Sequence, residues 1–191
     1  MKKEILVAGI LFMLLIGIVS ANVLSYFGRI TGSVEVNGPV FYLSCEKSDV
    51  SDKSYKLLIN DDATGECTRT FTDGYSNLWF VTESLGVESL YEADYEMSIR
   101  IRNTHASEVG QVLTEVWIIK ENGDLKYAVP IAAYAFRIQN EATMAKTVVL
   151  DVDDHKLDST DRLGLKFSDG LHDITYEMFI EDGDSKMQVF T

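Results

Sequence analysis

The chain is short of positive charge, proline and cysteine, and each shortage removes something. Lys and Arg number 17 against 30 Asp and Glu, a formal net charge of −13 over 191 residues. A protein that grips nucleic acid must bring cations to displace the counterions condensed on phosphate, so nucleic acid is excluded as a partner and anionic lipid is disfavoured. Two prolines leave no proline-rich linker, and neither an internal repeat nor a low-complexity tract interrupts the chain. Catalytic signatures are missing as well: there is no Gly-x-Ser-x-Gly elbow, His-Glu-x-x-His pair, Gly-x-x-x-x-Gly-Lys phosphate loop or Cys-x-x-Cys. The three histidines, His105, His155 and His172, stand far apart in polar surroundings and read as surface residues. No Asn-x-Ser/Thr sequon occurs. Apolar residues at i, i+3, i+4 and i+7 recur over no long stretch, which excludes a helical body.

What is present begins at the N-terminus. Met1, Lys2, Lys3 and Glu4 precede an uncharged run from Ile5 to Val19, ILVAGILFMLLIGIV. A charged lead followed by an apolar segment of this length is a secretory address. Val19-Ser20-Ala21 supplies compact residues at the −3 and −1 positions of a signal-peptidase site, so residues 1–21 are a leader and residues 22–191 a single mature domain. Left uncleaved, residues 5–24 form a helix long enough, at about 1.5 Å per residue, to cross a hydrocarbon core of roughly 30 Å and tether the domain as a signal anchor. A pilin-type leader is disfavoured, because Lys3-Glu4-Ile5 lacks the small residue that precedes such a cut. Cleaved or anchored, the protein is expected outside the cell or at its surface. There Cys45 and Cys67 can close a loop that gains about 3 kcal/mol from a disulfide; two free buried thiols are the alternative.

Period-two alternation governs the mature part. Tyr95, Met97, Ile99 and Ile101 alternate with Glu96, Ser98, Arg100 and Arg102. The pattern recurs at Leu163, Leu165 and Phe167, and again at Ile174, Tyr176, Met178 and Ile180. More continuous apolar runs, 39–43, 55–59, 78–81, 112–119, 127–138 and 147–152, suit strands covered on both faces. Asn122-Gly123-Asp124 and Asp182-Gly183-Asp184 read as hairpin turns, and residues 44–77 as mainly exposed loops. About ten short strands of this kind predict an all-β, jelly-roll-like sandwich behind the N-terminal signal or anchor helix.

Two clusters could carry chemistry. Asp151, Asp153, Asp154, Asp158 and Asp161 crowd the end of an apolar run and offer oxygen ligands to Ca²⁺. They lack the Asp-x-Asp-x-Asp-Gly order of a dedicated loop, so a solvated loop is the plainer reading; no other cofactor is suggested. Trp79, Phe80, Trp117, Tyr127 and Tyr134 could stack on a glycan, or fill the core, as aromatics within apolar runs usually do.

The segment Asn22 to Leu43, with Leu24-Ser25-Tyr26-Phe27-Gly28 at its head, resembles the start of exported proteins of the TasA/camelysin group. In those proteins a hydrophobic leader with a special signal peptide runs into an Ala/Ser-Tyr-Phe element and then a β-jelly roll. Gly28-Arg29 stands where that group has Ser-Asp. The resemblance implies a surface or biofilm-matrix protein, with fibre assembly through an N-terminal strand that completes a neighbour's sheet. Leu24, Tyr26, Phe27, Ile30, Val34 and Val36 would form that strand; an ordinary first strand of the same domain is the alternative. The expectation is therefore a non-enzymatic, self-associating surface protein. A membrane-tethered module for glycan or calcium is the second reading, and a hydrolase with a scattered site on the same fold the third.

Overall fold

The computed structural model describes residues 37–51, 54–59, 65–72, 77–170, 174–181 and 183–190. The leader (1–21), the tether segment (5–24) and the assembly-strand residues Leu24, Tyr26, Phe27, Ile30, Val34 and Val36 lie outside the described residues, as do His172 and Asp182. Among the described residues every regular element is a strand. In chain order these are β1 (Asn37–Lys47), β2 (Ser54–Ile59), β3 (Cys67–Phe71), β4 (Leu78–Val81), β5 (Ser89–Leu90), β6 (Ala93–Asn103) and β7 (Gly110–Ile119). They continue as β8 (Ala132–Ile138), β9 (Thr143–Val152), β10 (His155–Lys156), β11 (Arg162–Asp169), β12 (Tyr176–Ile180) and β13 (Lys186–Phe190).

Eleven of these strands share one hydrogen-bonded ladder, folded over into two facing layers. Layer one is built on β6, which pairs with β9 along one edge and with β12 and then β13 along the other; β3 extends it beyond β12 and β1 beyond β13. Layer two runs β2, β4, β11, β7, β8. The strand β1 joins the layers: Asn37 to Tyr42 face β13, whereas Phe41 to Lys47 face β2. The short pair β5 and β10 stands apart as a two-stranded ladder.

The alternation read from the sequence is the alternation of burial. Along β6 the residues Ala93, Tyr95, Met97, Ile99, Ile101 and Asn103 are buried, and those between them face outward. In β12 the buried set is Tyr176, Met178 and Ile180, and in β11 it includes Leu163, Leu165 and Phe167. Inner-face rings stitch the layers together: Phe71 of β3 lies 5.1 Å from Tyr176 beside it and 6.3 Å from Phe167 across the core. Where β7 begins, Gly110 leaves the space that Tyr176 fills, since a Cβ there would fall on the phenol. The Tyr176 hydroxyl donates to Asp169 Oδ1 at 3.0 Å, and the Ile174 N–H donates to Asp169 Oδ2 at 3.0 Å, so this buried carboxylate is satisfied within the core.

Within residues 44–77 the run 55–59 is the strand β2, and Cys45 and Cys67 are disulfide-bonded with Cα atoms 6.0 Å apart. Three expectations change. Cys67–Phe71, within the stretch read as mainly loop, is the strand β3. The Asn122-Gly123-Asp124 turn returns the chain only as far as an isolated bridge between Ile119 and Leu125, and β8 begins later, at Ala132. The turn around Gly183 makes no hairpin at all. Both β12 and β13 run antiparallel to β6 on the same side, so they form one line along β6 that is interrupted at residues 181–185.

Candidate functional site

Because β6 pairs fully on both sides, the register of layer one sets its outward side chains in rows. One row reads Thr147, Ser98, Lys186, Tyr42 across β9, β6, β13 and β1. The row on one side reads Val149, Glu96, Gln188, Val40. On the other side lies Ala145, Arg100, Phe179, Thr68. Neighbouring strands are about 4.8 Å apart, so Thr147 to Tyr42 covers three spacings, roughly 14 Å.

The interruption between β12 and β13 rises beside these rows as a wall. Its shape is fixed locally: the Ser185 hydroxyl accepts the Glu181 N–H at 3.0 Å and donates to the Phe179 carbonyl at 3.2 Å, while Gly183 adopts φ +72°. On one side of the wall is a depression of 390 Å³ containing Ser98, Arg100, Thr147 and Lys186; on the other is one of 410 Å³ containing Glu66, Thr68 and Phe179. Glu181 and Asp184 border both. Arg100 is committed, with its guanidinium 2.5 Å from Glu181 and 5.4 Å from the Phe179 ring. The side chains of Thr147, Ser98, Lys186 and Tyr42 make no hydrogen bond or ion pair among the described residues. The row is thus a strip of two hydroxyls, an ammonium and a phenol left to solvent, able to donate at every position and to accept at three.

The five aspartates that could offer oxygens to calcium do not converge. Asp151 faces outward beside Asp94, and Asp153 is exposed. Asp154 accepts the Glu92 N–H at 2.6 Å. Asp158 and Asp161 both bind the Lys126 ammonium, at 3.0 and 2.5 Å, and the 1% exposed Asp161 also accepts the Asp158 N–H at 2.8 Å. Burial works against the Lys126 charge, but the bonds to Asp161 and Asp158 outweigh it and hold its pKa above the ordinary value. Lys126 therefore supplies the positive charge that a cation would have supplied. Among the described residues no three His, Cys, Asp or Glu side chains gather as a metal set.

Nor do the five aromatics make one platform. Phe80 is wholly buried. Tyr127 lies 5.4 Å from His155, and Tyr134 sits at the β8 edge beside Phe136. Trp79 and Trp117 do meet, 6.4 Å apart on the outer side of layer two, with Lys166 above both rings and 2.5 Å from Glu115. Gly164 permits this, since a Cβ there would lie 2.5 Å from Ile119 Cδ1 and 3.4 Å from Trp79. The strip on layer one was not singled out by the sequence. Each member is an outward residue of an alternating strand, but only the order and register of strands distant in the chain bring them together.

No family model and no curated protein matches the chain. Solved structures match its fold. A CocE/NonD family hydrolase from Staphylococcus aureus has a TM-score of 0.61 at 6% identity, over 82% of this chain and 36% of that one. An aminopeptidase from the marine sediment archaeon Thaumarchaeota archaeon gives 0.55 at 10% identity, over 78% of this chain and 36% of that one. An alpha-amino acid ester hydrolase gives 0.53 at 10% identity, over 80% and 35%. The chain thus spans about a third of the length of these enzymes, and at such identities the likeness is one of fold.

Proposed function

We propose that the protein is a non-catalytic binding domain with a jelly-roll-like sandwich, displayed outside the cell, that holds a hydroxyl-rich ligand such as an oligosaccharide across the outer side of layer one. The observation that carries this reading is the strip Thr147, Ser98, Lys186, Tyr42, four hydrogen-bonding side chains without partners among the described residues, beside a walled depression. A sugar offers hydroxyls that both donate and accept, and such a strip can meet them with three hydroxyls and the Lys186 ammonium as a donor. Of the two carboxylates at the wall, Glu181 and Asp184, Glu181 is engaged by Arg100. The Cys45–Cys67 disulfide supports export, since such bonds persist in oxidising compartments. Calorimetric titration with a panel of neutral oligosaccharides checks the reading: binding should weaken at least fivefold in Lys186→Ala combined with Ser98→Ala, at unchanged melting temperature. No binding across the panel, or binding indifferent to that pair, would overturn it.

A second reading, self-association by strand addition, is supported by the outer edge of β9. Among the described residues ten of β9 pair with β6 and with no other strand, and Val149 stands 47% exposed. An open edge of this length is a template for a further strand. Concentration-dependent filaments in electron micrographs, lost on Val149→Pro, distinguish it from the binding domain.

A further inference from the structure

At the end of the sandwich where β1 begins and β13 finishes, the space between the layers opens as a pocket of 280 Å³. Its walls include Pro39, Phe41, Ile59, Leu90, Tyr91 and Tyr95, and among the described residues that line it none is charged, in a chain with 47 charged side chains (17 basic and 30 acidic). Around the mouth, Ile59 is 39% exposed, Val87 44% and Tyr91 73%. Large apolar side chains gathered at one exposed opening are uncommon on a protein that binds nothing there.

The second observation is Tyr95. Its side chain is 2% exposed, yet its hydroxyl has no hydrogen-bond partner among the described residues. The hydroxyl is also not among the fully enclosed unpaired polar atoms, and Tyr95 is one of the residues that line the pocket. Elsewhere in this core a buried phenol is satisfied: Tyr176 has Asp169. A buried, unpartnered hydroxyl among the lining residues, where the other described hydroxyls are those of Ser89 and the exposed Tyr91, can donate to a polar atom from outside the fold.

We infer that this pocket is a binding site for a small, largely apolar molecule that carries one hydrogen-bond acceptor, of which a carbonyl is the simplest form, with the Tyr95 hydroxyl as the donor. At about 30 Å³ for each water-sized group, the volume holds roughly nine such groups, the scale of one ring with a short substituent. Burial pushes the Tyr95 pKa up to about 12, which keeps the phenol protonated and donating at neutral pH. The site is separate from the strip on layer one, so the two stand or fall independently.

Acetophenone and ethylbenzene test the inference, being of one shape with and without the acceptor. In methyl-resolved NMR of the full chain in its processed form, acetophenone should shift the Ile59, Val87, Leu90 and Val189 resonances saturably, and ethylbenzene should bind more weakly. Tyr95→Phe should weaken acetophenone roughly two- to tenfold, the worth of one net hydrogen bond, and leave ethylbenzene unchanged. Val87→Arg, at the exposed rim, should weaken both at unchanged melting temperature and serves where Tyr95→Phe does not fold. No saturable shift with either compound overturns the inference. So does acetophenone affinity that neither variant alters, or dimerisation of the unliganded protein that covers the same methyls.

Discussion

The side chains that decide local stability here are polar ones placed where water is excluded. Asp161 is the sharpest case: it sits at the start of β11, nearly inaccessible, and receives both the Lys126 ammonium and a backbone N–H. Removing Asp161 leaves Lys126 only the exposed Asp158 and takes the acceptor from the Asp158 N–H. Asp161→Ala should therefore lower the unfolding free energy by roughly 2 kcal/mol in urea titrations, the worth of a hydrogen bond to a charged group. Because Lys126 already neutralises this cluster, adding EDTA or millimolar calcium should leave the wild-type melting curve where it is. From sequence alone the aspartates read as a solvated loop or as calcium ligands and not as partners of Lys126, which lies 35 residues from Asp161. Nothing in local spacing pairs those two.

At the scale of elements, the faces of single strands were legible and their order was not. Tyr95, Met97, Ile99 and Ile101 announce the inner face of β6 because side chains alternate with period two whatever the neighbours are. That β12 and β13 share one side of β6 follows from long-range register, and a Gly-Asp turn between two apolar runs looks the same whether the chain reverses or continues. The third strand was missed for a related reason: Thr68, Arg69 and Thr70 between Cys67 and Phe71 carry too little apolar character to read as one. It is an edge strand, anchored through β12 and through the disulfide to β1. Arg69 adds a bond from Nη2 to the Cys45 carbonyl at 2.9 Å. Replacing both cysteines by serine should cost about 3 kcal/mol, the loop-closure entropy returned to the unfolded chain. Chemical denaturation of oxidised protein and of the double variant measures it directly.

Over the whole molecule, the response to alkali gathers contributions from separate places. Burial pushes Tyr95 up to about 12, and burial together with the neighbouring Asp169 charge pushes Tyr176 higher still. An unfolded chain releases these protons near pH 10. Below that, both states are protonated and the stabilisation is complete; above it the unfolded state loses protons first, so stability falls as pH rises towards 12. Melting temperatures should therefore be level from pH 7 to 9 and drop by pH 11, and the drop should shrink in Tyr95→Phe. The fold class could be read from composition and alternation because both report on strands. The position of the hydrogen-bonding strip could not, because it exists only once β9, β6, β13 and β1 lie side by side.

Asn37 and Phe190 are register partners at one end of the β1 and β13 pair. Tension applied to those two residues in opposite directions would meet the hydrogen bonds of that ladder one pair at a time, as a zipper does. The sandwich would yield to such a pull at low force, and the unravelling of β1 would halt at Cys45, where the covalent link to Cys67 carries the load instead.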